Sequence, residues 1–114
     1  MSARAKLIKL KPGSLDKVRE WANTLSARRD EALATLIDEG VSIESWFLLS
    51  RDDGDYLVGY MRSDDFDEAA KAARNSRHAI DAYHQEFKRD TWDRDASVEM
   101  ELLIDLAMEG DRRG

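Results

Sequence analysis

The stretch from Val41 to Met61, VSIESWFLLSRDDGDYLVGYM, constrains the fold of this chain more than any other part of its sequence. It contains Asp53-Gly54, and this pair favours a tight turn because glycine accepts a positive φ and aspartate tolerates one. The residues on both sides are rich in β-branched and aromatic types, which suit a pleated strand. The pattern therefore predicts a β-hairpin.

Alternation along the two strands defines two faces of this hairpin if its loop has two or four residues, whereas a three-residue loop would change the pairing. The first face then holds Val41, Ile43, Phe47, Leu49, Tyr56, Val58 and Tyr60. The second face holds Ser42, Glu44, Trp46, Leu48, Leu57, Gly59 and Met61. Neither face is polar, so we expect both to be covered, one by helices of this chain and the other by a partner.

Length and composition exclude several classes of protein. The 114 residues predict a single domain over 1–114, with a frayed tail at about 109–114. No cysteine is present, so the chain has no disulfides and no thiolate chemistry. A net charge of -6 argues against a nucleic-acid partner, because phosphates are bound by clustered Lys and Arg. No signal peptide and no membrane span are recognisable, and we expect a cytoplasmic protein that does not bind membranes.

The segment before the hairpin predicts one strand and one long helix. Ala5 to Leu10 alternates in hydrophobicity and is followed by Pro12-Gly13, which indicates a strand and a turn. Ser14 is a good N-cap, and Gly40 is typical of the residue that follows the last turn of a helix. Between them the apolar residues recur at three- and four-residue spacing on one stripe: Leu15, Val18, Ala22, Leu25, Ala32, Leu33 and Leu36.

The segment after the hairpin predicts a broken helix and a last strand. An apolar stripe starts at Phe66, is interrupted at Asn75-Ser76 and resumes at Ile80, which indicates one bent helix or two helices with a short break. Asp90 to Ala96, DTWDRDA, reads as a loop. Val98 to Leu106 alternates and predicts the last strand, although a helix also fits its Glu, Met and Leu residues. We prefer the strand because it completes a four-stranded sheet.

The order strand, helix, hairpin, helix, strand predicts an α+β domain of the ferredoxin-like βαββαβ type with a four-stranded antiparallel sheet. With its KLKPG strand ending, aromatic hairpin and closing strand, the range 5–107 resembles the dimeric α/β-barrel superfamily, and within it an uncharacterised group of small bacterial proteins. The resemblance implies a homodimer with two sheets packed face to face. We expect the helices to cover the first face, and the second subunit to cover Trp46, Leu48 and Met61 on the second face.

The histidines are candidates for proton transfer. The chain has two, His78 and His84, and their six-residue spacing on a predicted helix does not form an i,i+4 metal pair. His84 lies on the apolar stripe, where it is either a histidine at the edge of the core or a general base, or a single metal or haem ligand, that faces the sheet. His78 is expected to be exposed. We expect no metal and no cofactor.

Glu44 and Tyr60 are the other candidate catalytic residues. Glu44 lies on a strand among apolar neighbours, where a carboxylate either joins a structural ion pair or acts in acid–base chemistry. Tyr60 would line a pocket together with His84, Glu44 and Trp46.

Three residues are candidates for ligand binding. Trp46 and Trp92 could form a stacking wall for a sugar ring or a flat molecule, although core or interface packing is the ordinary role of such residues. Arg28 lies in the charged run SARRDE, where it is either solvated or reaches an anionic ligand.

Two functions remain open on the sequence. The first is a homodimeric small-molecule-binding protein or small enzyme, with chemistry like that of a mutarotase or of a cofactor-free monooxygenase, both of which occur among proteins that the chain resembles. The alternative is a non-catalytic dimerisation module whose barrel interior is filled with side chains. No glycine-rich phosphate loop, nucleophile elbow, CxxC or HExxH motif is present, so nucleotide-binding, hydrolase and zinc functions have no support.

Overall fold

A computed structural model describes residues 2–108, and the predicted frayed tail at 109–114 lies outside this range. Within this range the chain forms four strands and four helices, in this order: β1 (Ser2–Leu10), α1 (Leu15–Ala27), α2 (Arg29–Glu39), β2 (Val41–Arg51), β3 (Gly54–Ser63), α3 (Phe66–Arg74), α4 (Ala79–Thr91) and β4 (Trp92–Met100). The strands form one antiparallel sheet in the order β2-β3-β1-β4. The predicted ferredoxin-like α+β fold is confirmed.

The hairpin of β2 and β3 has a two-residue loop, Asp52-Asp53, which is one of the loop lengths for which the two faces were predicted. It is followed by Gly54 at a φ of 139°. Glycine is required at this position because an L side chain rarely adopts such a φ. With this loop Trp46 lies opposite Gly59, as the alternation predicts.

The helices cover the second face of the hairpin, and the predicted assignment of faces is therefore wrong. The buried core joins α1 and α4 to this side of the sheet and consists of Ile8, Leu10, Val18, Trp21, Leu57 and Phe87. Trp46 packs against this core. Phe47, the next residue along β2, points away from the helices and is 60% exposed. The helices cover Trp46 and Met61, so the predicted partner interface through Trp46, Leu48 and Met61 is wrong, although Leu48 itself is still 36% exposed.

A shift of register at the start of β2 moves one predicted residue to the other face. Val41 pairs with Ser63 and Ile43 with Arg62, so that Ser42 forms a bulge. Val41 therefore shares the helix-covered side with Trp46 and is only 7% exposed. A bulge inserts one residue into the alternation, and period-two reasoning cannot detect it.

The long helix predicted from Ser14 to Gly40 is two helices, which meet at Arg28. No glycine or proline marks this break, so the sequence contains no local signal for it. The end at Gly40 is as predicted, with a φ of 69°. The predicted break in the second helical segment is also present, between Arg74 and Ala79.

The last strand lies earlier than predicted. β4 starts at Trp92, which pairs with Leu10, so DTWDRDA is part helix end and part strand rather than a loop. It ends at Met100 opposite Ala5, near the start of β1, where little partner backbone remains. Residues 101–108 lie outside the sheet and are exposed. None of the helices within 2–108 is long and apolar enough to cross a membrane.

Candidate functional site

A cavity of about 200 Å³ lies between the helices and the second face of the sheet. Every helix except α1 contributes to its wall, and the sheet forms its floor. Its charged and polar lining is provided by Arg4, Lys6, Thr35, Glu39, Glu44, Asp81, His84, Gln85 and Lys88, and its apolar lining includes Val41, Trp46, Met61 and Phe66. The cavity is concave, small and mixed in polarity, as small-molecule sites are.

Helix α4 contributes a row of ionisable groups to this cavity. Asp81, His84 and Lys88 are spaced by three and four residues, which places them on one face of the helix. The neighbouring positions Ile80 and Phe87 are buried in the core. The polar row therefore borders the apolar stripe that holds α4 against the sheet.

His84 is held in one orientation and one tautomer by Trp21. The indole Nε1–H of Trp21 donates a hydrogen bond of 3.0 Å to His84 Nδ1, and the two rings stack at a centroid distance of 5.6 Å. Because Nδ1 accepts, the ring proton of neutral His84 lies on Nε2. Burial, together with the positive charge of Lys88, lowers the pKa of His84 to about 3. His84 is thus a neutral imidazole that can donate from Nε2.

Glu44 lies on β2 beside Trp46 and lines the same cavity. Burial raises the pKa of its carboxyl group, while the nearby Trp46 indole and Lys88 oppose that shift in part. Within residues 2–108 no basic nitrogen lies within 4.0 Å of this carboxyl group. A largely buried carboxyl group without an ion pair is costly to keep ionised.

Glu39, which lines the same cavity, also has no basic nitrogen within 4.0 Å in the part of the chain that the structure describes. It is the last residue of α2, directly before the turn at Gly40. Burial raises its pKa to about 7, and the negative charges of Asp81 and Glu44 contribute to the shift. Two carboxyl groups that influence each other in one cavity hold their protons at different pH values, which is the arrangement required of an acid and a base.

The raised pKa of Glu39 predicts how the stability of the protein depends on pH. Its value in the folded state, about 7, exceeds the ordinary 4.5, so Glu39 destabilises the fold progressively as the pH rises from 4.5 to 7. Glu39→Gln is therefore expected to raise the melting temperature relative to the unmodified protein above pH 7 and to have little effect below pH 4.5. Differential scanning fluorimetry across this range measures the difference, with the exposed Glu20→Gln as control. A difference that does not vary with pH would contradict the prediction.

The indole of Trp46 is positioned by Gly59 across the hairpin. A Cβ atom on Gly59 would lie 2.6 Å from Trp46 Cζ3, so no larger residue fits while the indole keeps its place. The ring then meets Trp21 at a centroid distance of 5.6 Å and His84 at 6.1 Å. Gly59 is thus the residue that allows the bulky side chain to lie flat against the sheet and form part of the cavity wall.

The structure brings together only some of the residues predicted for a site. His84, Glu44 and Trp46 line the cavity. Tyr60 lies on the first face, away from the helices, where its hydroxyl accepts a hydrogen bond of 2.5 Å from Arg62 Nε.

Two further predicted residues also lie outside the cavity lining. Trp92 packs behind Trp46 at a centroid distance of 5.9 Å. Arg28 lies at the break between α1 and α2 and pairs with Glu31 at 2.6 Å. His78, expected to be exposed, is half-buried and pairs with Asp38 at 2.7 Å.

Sequence reasoning missed Glu39, Asp81, Lys88 and Trp21. The sequence did contain a signal for Asp81 and Lys88, because their spacing of three residues before and four residues after His84 places them on the same helix face. Trp21 had one as well, since it continues the stripe three residues after Val18. Glu39 had none, because its electrostatic interaction with Glu44 depends on the turn between α2 and β2.

The geometry does not suggest a protein-held metal. Within 2–108, no group of three or more His, Asp or Glu side chains is arranged to hold an ion. The cavity instead provides a neutral imidazole donor, two carboxyl groups with raised pKa values and an ammonium group around an aromatic wall. This set can exchange protons with a bound polar molecule.

Comparison with solved structures identifies similar folds. An L-rhamnose mutarotase from Formosa agariphila shares 20% sequence identity at a TM-score of 0.57, over 96% of this chain and 100% of that one. The protein Rv0793 from Mycobacterium tuberculosis shares 16% identity at a TM-score of 0.50, over 92% of this chain and 97% of that one. Identities this low establish the fold alone. No curated protein sequence matches the chain, while one family model, for a family of unknown function, matches residues 1–110.

Proposed function

We propose that this chain, which belongs to the family of unknown function DUF6176, binds a small polar molecule and catalyses a proton-transfer isomerisation like that of a mutarotase. The observation that carries the proposal is the pair of carboxyl groups, Glu39 and Glu44, which line one small cavity and have no basic partner within 4.0 Å among residues 2–108. Structural carboxylates in such places are ordinarily paired. Unpaired ones with raised pKa values fit a catalytic acid and base.

The chemistry of anomer exchange requires one proton acceptor and one proton donor. An ionised carboxylate, assigned to Glu44, takes the proton from the anomeric hydroxyl while the bond between C1 and the ring oxygen breaks and C1 becomes a carbonyl. A protonated carboxyl group, assigned to Glu39, donates its proton to the ring oxygen. Rotation about C1–C2 and the reverse transfers close the ring as the other anomer. The protons balance and no further reactant is consumed.

His84 and Trp46 have supporting roles in this proposal. The Nε2–H of His84 donates to a ligand oxygen, and the low pKa keeps the ring neutral, so that it does not exchange protons itself. The Trp46 ring offers an apolar surface for the carbon face of a sugar. A cavity of about 200 Å³ suits one monosaccharide rather than an oligosaccharide. Its existence favours a binding function over a module filled with side chains.

The proposal also includes a homodimer, and the first face of the sheet supports it. Its exposed apolar side chains form a patch of the kind that marks a partner surface, made up of Ile43, Phe47, Leu49, Val98 and Met100. The segment 101–108 adds further exposed apolar residues, among them Leu103 at 85%. Asp105 attaches this segment to the same face through Arg62, at 2.5 Å. Two copies that pack through the first face would cover both.

Glu44→Gln is expected to reduce the catalysed rate of anomer exchange by about 100-fold or more, the ordinary contribution of a general base. The substitution keeps the shape of the side chain and removes only its ability to accept the proton. Exchange spectroscopy by NMR measures the rate on a panel of monosaccharides at equilibrium between their anomers. The matched control is Glu86→Gln, because Glu86 is exposed on α4. If the unmodified protein accelerates exchange of no sugar above the buffer rate, the proposed activity is wrong.

A further inference from the structure

The geometry points to an anion-binding subsite formed by Lys6 and Lys88 in the cavity, so that the ligand is a monosaccharide-sized polyol with one anionic group. This inference rests on the proposed function, because it names the class of substrate for the same site. It depends on different residues from those that transfer protons, and the two can therefore be tested separately.

Lys88 and Lys6 approach the cavity from opposite sides. Lys88 lies on α4, Lys6 lies on β1, and both line the space that Glu44 and His84 also line. For the described part of the chain, neither ammonium group has a carboxylate within 4.0 Å. The nearby Arg4 differs, since it pairs with Glu99 at 2.7 Å and lies 4.3 Å from the centre of the Phe66 ring. The two lysines are thus the cations of this cavity that remain unpaired.

The surroundings of Lys88 are unfavourable for an ammonium group without a ligand. Burial lowers its pKa, and although Glu44 opposes this shift, the positive charges of Lys6 and Arg94 add to it. Its ammonium group lies 4.8 Å from the centre of the Trp92 ring, which offers a modest cation–π contact but no counter-charge. A bound anion would offset the free-energy cost of the buried ammonium group and the repulsion between the two lysines.

The other polar groups of the cavity determine the rest of the ligand. Glu39 and Glu44 can accept hydrogen bonds from hydroxyl groups, and His84 can donate to an oxygen. A ligand that carries both hydroxyl groups and one carboxylate or phosphate would satisfy both sets of groups. The limited volume allows one ring with one such group. Uronic acids and sugar phosphates share this chemistry.

Ligand titrations followed by NMR test the subsite. D-glucuronate, D-glucose 6-phosphate, neutral D-glucose and inorganic phosphate are each titrated into the unmodified protein, Lys88→Met and Lys6→Met. Lys71→Met is the matched control, because Lys71 is exposed on α3. We expect at least one anionic sugar to bind tenfold more tightly than glucose, and this preference to disappear in Lys88→Met and weaken in Lys6→Met. Melting curves identify any variant that fails to fold, in which case the other lysine variant decides.

The outcomes separate this inference from the proposed activity. An anionic preference that depends on Lys88, without any acceleration of anomer exchange, supports the subsite and overturns the catalysis. Glucose that binds as tightly as the anionic sugars overturns the subsite while leaving the catalysis standing. Phosphate that binds in a Lys88-dependent manner supports the subsite even if no sugar binds. The preferred anionic sugar, glucuronate or the 6-phosphate, distinguishes a carboxylate from a phosphate. No binding of any of the four probes overturns the subsite, and the exchange rates on the panel of monosaccharides then decide the catalysis separately.

Discussion

Replacing Trp46 with aspartate is expected to unfold much of the protein rather than to release a folded monomer. The indole lies against the core, at centroid distances of 5.6 Å from Trp21 and 5.9 Å from Trp92. Truncating a packed Trp costs roughly 3–5 kcal/mol, and a carboxylate left between aromatic rings adds to this cost. For a domain of ordinary stability, about 5–15 kcal/mol, the loss is a large fraction of the whole.

Chemical denaturation followed by circular dichroism measures this effect. Trp46→Phe is the control, since it keeps an aromatic ring in the same place and should lose much less stability. Gly59 leaves room for either ring. A Trp46→Asp protein that keeps its cooperative unfolding transition near that of the unmodified chain would contradict the placement of Trp46 beneath the helices.

Replacing Phe47 with aspartate is expected to have the opposite result, a folded protein that no longer dimerises. Phe47 is 60% exposed in the single chain, so its substitution removes little internal packing. In a two-fold dimer through the first face the change occurs twice in one interface, once in each copy. With about 2 kcal/mol for each central aromatic residue, the dissociation constant would rise about a thousandfold.

Sedimentation velocity over a range of concentrations measures the change in association. Ala22→Asp is the matched control, because Ala22 is exposed on α1, away from the sheet. It adds the same charge without touching the first face, and it should leave the dimer intact. A dimer of unchanged affinity in Phe47→Asp would show that the first face is not the interface.

The candidate site shows where local patterns were informative. Glu44, Trp46 and His84 were predicted from their position among apolar neighbours, and the cavity contains all three. Tyr60 was predicted to line the same pocket, but it lies on the other side of the sheet. Glu39 and Lys6 come from α2 and β1, and nothing in their local sequence marks them. Their convergence on Glu44 requires the helices to be in place.

The chemical role of His84 also depended on a distant residue. The ordinary pKa of a histidine lies near neutrality, and the sequence therefore offered His84 as one candidate for a general base. The hydrogen bond from Trp21, 63 residues earlier, occupies Nδ1, and burial lowers the pKa to about 3. The ring therefore has only its Nε2–H to offer as a donor, and in the proposed function the carboxyl groups of the cavity transfer the protons. Burial and long-range hydrogen bonds set pKa values, so the pKa of a side chain cannot be predicted from the pattern of its helix.

The sequence by itself determined the hairpin, the order of its elements and the fold class. These depend on short-range chemistry: the turn at Asp53-Gly54, the period of two along the strands, and the helix end at Gly40. Only the tertiary structure decided which side of the hairpin the helices cover. Both sides are apolar, so the pattern cannot choose between them. The choice follows from the fit of Trp46 over Gly59 and against Trp21, a contact between three separate elements.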